Sequence, residues 1–102
     1  MTAPLVFERD SGSVTVTTAA LARLVTHAAE DGDGARIRRP RRRSLDVAHR
    51  DGNASVKLDL VVPYGAVLPE LARGVQERVA DALTEMCGLE VERVDVAIEE
   101  LD

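Results

Sequence analysis

Residues 56–65 read Val-Lys-Leu-Asp-Leu-Val-Val-Pro-Tyr-Gly, and an apolar side chain recurs at every second position from Val56 to Val62. This period of two is typical of a β-strand with one buried face. Pro63 and Gly65 then predict a turn, because proline donates no backbone hydrogen bond and glycine adopts dihedral angles closed to other residues. The stretch therefore predicts a strand that ends at Pro63.

The residues after this turn predict an amphipathic helix. From Pro69 onward the apolar residues are spaced by three and four, and charged residues occupy the other face. Proline suits the first turn of a helix, and Gly88 suits a left-handed cap at the C-terminal end. The apolar stripe consists of Leu71, Ala72, Val75, Val79, Ala82, Leu83 and Met86.

A second alternating stretch follows the helix. Val94, Val96 and Ile98 alternate with polar or small residues, which predicts a final strand. Val91 has the opposite parity, and this is typical of a residue that precedes a β-bulge.

The N-terminal half predicts a short strand and a helix. Val14 and Val16 lie on one face of the strand, and Thr17 or Thr18 is a suitable N-cap for a helix that continues to about Glu30.

A hairpin is predicted between this helix and the quoted stretch. Leu45 and Val47 indicate a weaker strand, and residues 51–53, Asp-Gly-Asn, form a good tight-turn sequence before the strand that starts near Ala54.

The order of elements is therefore β-α-β-β-α-β. It predicts a single small α+β domain over residues 1–102, with two helices on one face of a three- to four-stranded sheet.

These residues resemble the signature of the alkaline shock protein 23 family, which comprises bacterial envelope stress response proteins. The resemblance is carried by residues 56–65, 68–72, 75–79, 86–91 and 94–96, and more weakly by residues 12–16. It covers nearly the whole chain except an arginine-rich middle segment. Cys87 stands where the family usually has threonine, and Asp95 where it has asparagine.

The structural signature of this resemblance consists of Tyr64, Gly65, Pro69, Glu70 and Gly88. We interpret Tyr64 as covering the end of the sheet and Gly65 as taking an unusual dihedral angle. The resemblance implies a non-catalytic interaction or scaffold protein in cell-envelope stress or homeostasis. It also implies a membrane-anchored protein partner and self-association.

Composition narrows the class of protein. The chain has 102 residues, 45% apolar composition and one cysteine, which agrees with one modest core in a reducing compartment. It has neither a run of about 18 apolar residues nor a secretory signal. We therefore expect a cytoplasmic protein without a transmembrane segment, peripheral at the cytoplasmic face of the membrane if the family's anchoring applies.

Charge is divided between the two halves of the chain. Residues 1–50 carry nine Arg against six Asp and Glu, net +3, and residues 51–102 carry four Lys and Arg against twelve Asp and Glu, net −8, which sum to −5. We predict an exposed arginine-rich loop at about residues 35–44, because so many guanidinium groups cannot be buried together. The candidate interaction patch consists of Arg36, Arg38, Arg39, Arg41, Arg42 and Arg43.

Three interpretations of this patch stay open. It is a solvated loop that balances an acidic surface, a contact for anionic lipid headgroups or an acidic protein partner, or a phosphate-binding element of a small nucleic-acid-binding module. We rank nucleic acid last, because single-stranded sites usually add aromatic platforms and this chain has only Phe7 and Tyr64.

No catalytic, cofactor-binding or metal-binding residues are predicted. His27 and His49 lack the paired spacing of a metal site. Cys87 has no histidine close in sequence to activate it, so we interpret it as a packing residue.

Overall fold

The computed structural model describes residues 4–9, 12–32 and 34–101. Its elements are β1 (Leu5–Arg9), β2 (Gly12–Val16), α1 (Thr18–Ala29), β3 (Arg36–Ile37), α2 (Arg41–Ser44), β4 (Leu45–Arg50), β5 (Asn53–Pro63), α3 (Leu68–Cys87) and β6 (Glu90–Leu101).

Strand β5 lies at the centre of the main sheet. β6 pairs with it in parallel along its whole length, from Asn53 to Pro63. β3 and β4 pair with it antiparallel and therefore share its other edge. Ile37 of β3 is opposite Leu60, and Leu45 of β4 is opposite Leu58. β3 and β4 are thus two parts of one strand, interrupted by an insertion at residues 39–44.

The two long helices cover one face of this sheet. Alternate side chains of β5 from Ala54 to Val62 are buried under the helices, whereas those between them are exposed or half-buried. α1 buries Leu21, Val25 and Ala29 against the same core. α3 lies over β6 and beside α1. The predicted α+β class with two helices on one sheet face is confirmed.

The predicted helix boundaries agree with the structure. Thr17 Oγ1 accepts a hydrogen bond from the Ala20 amide at 3.1 Å, so Thr17 is the N-cap of α1. Pro69 lies in the first turn of α3, and Gly88 ends this helix with φ +66°. The Gly88 amide donates to the Thr84 carbonyl oxygen at 3.0 Å, which is typical of a left-handed C-terminal cap.

The hairpin and the bulge are also where the sequence predicts them. Arg50 is opposite Asn53, so Asp51 and Gly52 form a two-residue turn in which both have positive φ. Ala54 pairs with Val91 whereas Ser55 pairs with Arg93. Residue 92 is therefore the extra residue of a bulge in β6.

The N-terminal strand has a partner that the sequence did not predict. β1 and β2 form a separate two-stranded sheet, in which Leu5 is opposite Val16. Leu5 is buried in the core, and Phe7 packs partly against it. An isolated hairpin is only marginally stable, so these contacts position it.

Arg78 joins the two long helices. Its Nε donates to the Ala28 carbonyl oxygen at 2.9 Å, and its Nη2 donates to the Ala29 carbonyl oxygen at 3.4 Å. The last carbonyl groups of a helix have no partner within the helix and carry partial negative charge. The guanidinium of α3 therefore satisfies the C-terminal end of α1.

We expect Arg78→Ala to lower the free energy of unfolding by about 1–3 kcal/mol, because it leaves two half-buried carbonyl groups without their donor. Arg73→Ala removes an exposed arginine from the same helix and is the matched control, with an expected change within about 0.5 kcal/mol. Urea denaturation of both variants measures the difference. Equal stability of the two variants would show that Arg78 does not fix the helix pair.

Candidate functional site

The arginine-rich segment is structured in part. The sequence predicted an exposed loop, but residues 36–37 form β3 and residues 41–44 form α2. Ile37 is 2% exposed, and together with the fully buried Ala35 it attaches this segment to the core. Ser44 is also buried, and its Oγ has no hydrogen-bond partner among the described residues.

Glu30 holds the first part of this segment. Its Oε2 accepts a hydrogen bond from the Ile37 amide at 3.0 Å, and its Oε1 lies 3.8 Å from Arg41 Nη2. The Glu30 side chain is only 18% exposed, so solvent screens these contacts less than it screens a surface ion pair. One carboxylate at the end of α1 therefore ties together β3 and α2.

Asp59 of β5 provides the second attachment. Its backbone oxygen accepts from the Arg38 amide at 2.8 Å, and its Oδ2 lies 3.4 Å from Arg38 Nη2. Arg38 is thus bound through its backbone and its side chain to the neighbouring strand. The half-exposed side-chain pair adds little stability, whereas the backbone bond extends the ladder of β3.

The predicted interaction patch is divided by these contacts. Arg38 and Arg41 have acidic partners at Asp59 and Glu30. Arg36, Arg39 and Arg43 are exposed and have no ion pair with any described residue, and Arg36 Nη1 donates a hydrogen bond to the Ala35 carbonyl oxygen at 3.2 Å. The side chain of Arg42 lies outside the described part of the structure.

An open groove runs along α1 and brings part of the patch together with the helices. The patch residues that line it are Arg36, Arg41 and Arg43, and Arg38 and Arg39 lie outside it. Small side chains such as Ala22 and Thr26 contribute from α1. The lining also includes Glu30 and Asp46 on the arginine side, and Asp81, Glu85 and Met86 of α3. Arg23 of α1 also lines the groove, which therefore has mixed charge with arginines from both α1 and the arginine-rich segment.

Four of the signature residues lie in the turn after β5 and the first turn of α3, whereas Gly88 caps the C-terminal end of that helix. Gly65 has φ +94°, a conformation that glycine adopts without strain. The Tyr64 side chain is 75% exposed, and Val67 in the same turn is 61% exposed. Tyr64 does not cover the end of the sheet, so that interpretation is wrong. The short turn directs Ala66 and Leu68 toward the core instead.

The residues considered for chemistry do not meet in one place. His27 lies on α1 and lines the groove, and His49 lies on β4. Cys87 is 5% exposed, and burial raises the pKa of its thiol, which lowers its nucleophilicity near neutral pH. Within the described ranges, no three His, Cys, Asp or Glu residues are arranged to hold a metal ion.

Sequence reasoning did not identify Glu30 and Asp59 as the residues that position the arginines. Glu30 follows the last turn of a helix, and Asp59 is a polar position of an alternating strand, so both are ordinary surface positions in sequence. The one available signal was Ile37, a single apolar residue among arginines. A lone apolar residue of this kind indicates that the segment contacts the core at that position.

The model of the alkaline shock protein 23 family, described as having a cell envelope-related function, matches residues 7–102. No curated protein and no solved structure matches the chain. No helix in the described part of the chain is long and apolar enough to cross a membrane.

Glu30→Ala should loosen the arginine-rich segment, because it removes the acceptor of the Ile37 amide and the partner of Arg41. We expect a loss of about 1–2 kcal/mol of stability and faster hydrogen exchange at the Ile37 amide. Asp31→Ala changes the next, exposed carboxylate and is the control. Unchanged protection of Ile37 in the Glu30 variant would contradict this role.

Tyr64→Ser tests the corrected interpretation of the signature tyrosine. Because the ring is mostly solvent-exposed, we expect the free energy of unfolding, measured by thermal denaturation, to change by no more than about 0.5 kcal/mol. Leu71→Ala, at a buried position of α3, should cost about 2–5 kcal/mol under the same conditions. A comparable loss of stability in the Tyr64→Ser variant would show that the tyrosine side chain does support the fold.

Proposed function

Since the chain belongs to the alkaline shock protein 23 family, which has a cell envelope-related function, we propose that it is a non-catalytic interaction or scaffold protein of the cell envelope. It acts through protein partners and places its arginine-rich segment against them. It has no transmembrane helix in its described part, and we assign it to the cytoplasm, peripheral at the cytoplasmic face of the membrane.

The observation that carries this proposal is the fixed position of exposed arginines. Glu30 and Asp59 attach the segment at two points, while Arg36, Arg39 and Arg43 stay exposed without an ion pair among the described residues. A surface that is ordered before binding loses less conformational entropy on association. Arginine also binds carboxylates through two parallel hydrogen bonds, which favours a defined partner.

Self-association belongs to the same proposal. β6 pairs with β5 on one side, and its other edge has no strand partner among the described residues. The side chain of Gln76 covers one carbonyl oxygen of this strand, that of Val94, at 2.9 Å. β6 is rich in acidic residues, whereas β3 and α2 on the opposite edge are rich in arginine. Two copies could therefore meet through complementary edges.

Nucleic acid ranks below protein partners as the ligand of the patch. Neither of the two aromatic residues lines the groove: Phe7 lies on β1, and Tyr64 lies in the turn after β5. Sites for single-stranded nucleic acid usually stack bases on aromatic side chains. The acidic surface of α3 and β6 would also repel a polyanion.

Affinity capture from native lysate, followed by identification and purification of what is retained, tests the proposal. The test variant replaces Arg38, Arg39, Arg41, Arg42 and Arg43 by serine, and the control replaces basic residues outside the segment, namely Arg50, Lys57, Arg73 and Arg93. We expect the intact chain and the control to retain a membrane-anchored protein or further copies of the chain, and the test variant to lose them.

Two results would contradict this function. Retention of the same proteins by the test variant would show that the arginines at positions 38–43 are not the contact. Recovery mainly of nuclease-sensitive RNA or DNA, lost with the arginines, would favour a nucleic-acid-binding module instead.

A further inference from the structure

The shape of the groove restricts what can contact its arginines. Arg36 comes from β3, and Arg41 and Arg43 come from α2, yet all three line the same concave surface along α1. Residues of α3, such as Asp81 and Met86, line the same surface. A flexible chain can follow this concave surface along α1 and contact all three arginines, which favours such a ligand over a flat bilayer or a rigid duplex.

The charges of the groove restrict the ligand further. Arg36 and Arg43 have no ion pair with a described residue, whereas Arg41 lies near Glu30. Five acidic residues line the same groove, so the positive potential is interrupted: Glu30, Asp31, Asp46, Asp81 and Glu85. A phosphodiester chain carries a charge at every nucleotide and would place some of them against these carboxylates. A polypeptide can space its acidic residues to match the unpaired arginines alone.

The remaining lining suits a polypeptide backbone. Ala19, Ala22 and Thr26 of α1 are small, so a peptide can approach the helix closely. Leu45 of β4, which is partly buried, adds apolar surface to the same groove. Alternating acidic and small side chains would contact the arginines and this surface together.

On these grounds we propose that the groove binds an acidic, flexible polypeptide segment of a partner protein, with carboxylates on Arg36 and Arg43. The inference rests on the proposed function, since it states the chemistry of the protein partner that the arginine-rich segment contacts. The recognition is electrostatic and directional. It uses the two arginines of the segment that line the groove without an ion pair to a described residue, and Arg23 of α1 is a further groove arginine of this kind.

A short peptide is a sufficient probe. α1 has 12 residues, which at about 1.5 Å each give a groove of about 18 Å. An extended peptide rises about 3.3 Å per residue, so roughly six residues cover this length. The probe is a fluorescein-labelled peptide of alternating glutamate and alanine, slightly longer than this, and binding to the full chain is measured by fluorescence anisotropy at physiological ionic strength.

Two double variants distinguish peptide binding in the groove from a general attraction between opposite charges. Arg36→Ser with Arg43→Ser removes the two arginines that the segment places in the groove without an ion pair, and it leaves Arg23 of α1 in place. Lys57→Ser with Arg73→Ser removes two exposed basic residues outside both the groove and the arginine-rich segment and changes the net charge equally. Neither pair breaks an ion pair between described residues, so both variants should fold, as circular dichroism would verify. We expect about tenfold weaker peptide binding in the first variant and a change of no more than about twofold in the second.

Competing ligands provide the remaining outcomes. Equal weakening in the two variants, or no measurable peptide binding, would overturn the inference. So would tighter binding of a single-stranded oligothymidylate of equal charge, or of phosphatidylserine vesicles, than of the peptide. Binding of a second copy that depends on Arg36 and Arg43 would assign the groove to self-association. If the peptide does not bind but capture from lysate still depends on the arginines, the proposed function stands and only the acidic-segment inference fails.

Discussion

Strand β5 determines the arrangement of the molecule, because both of its edges and one of its faces are occupied by different parts of the chain. β6 lies along one edge, and β3 and β4 lie along the other. The alternate side chains from Ala54 to Val62 form the surface on which α1 and α3 pack. A shift of one residue in this strand would expose that apolar surface and misplace every neighbour at once. The register of one strand thus fixes the position of the arginine-rich segment relative to α1.

Much of this fold could be predicted from the sequence, because its long elements have clear periodicity. The alternation in β5 and the stripe of α3 each extend over many residues, and both ends of α3 are marked by Pro69 and Gly88. β1 was missed because Leu5 and Phe7 offer too short a pattern to distinguish from an irregular terminus. β3 was missed because a two-residue strand has no periodicity. Its stability comes from Leu60 and Glu30, which are distant in sequence.

The candidate site was predictable in composition but not in geometry. The density of arginine indicated exposure, and the described arginines of the segment are exposed. The division of the patch depends on which arginines meet Glu30 and Asp59, and such contacts between distant residues leave no local signal. The same reason explains the incorrect interpretation of Tyr64. A tyrosine after a strand can turn inward or outward, and the inward positions of this turn are occupied by Ala66 and Leu68.

The insertion between β3 and β4 has a consequence for how such a surface can vary. Arg38 bonds to Asp59 and Leu45 pairs with Leu58, so the strand resumes at the adjacent position of β5 after residues 39–44. The insertion therefore adds side chains without removing any backbone pairing from the sheet. Its length and composition can drift during evolution, or be exchanged by design, while the scaffold beneath keeps its register. This edge of the sheet can therefore accommodate insertions of different sequence, and the arginine-rich segment is one such insertion.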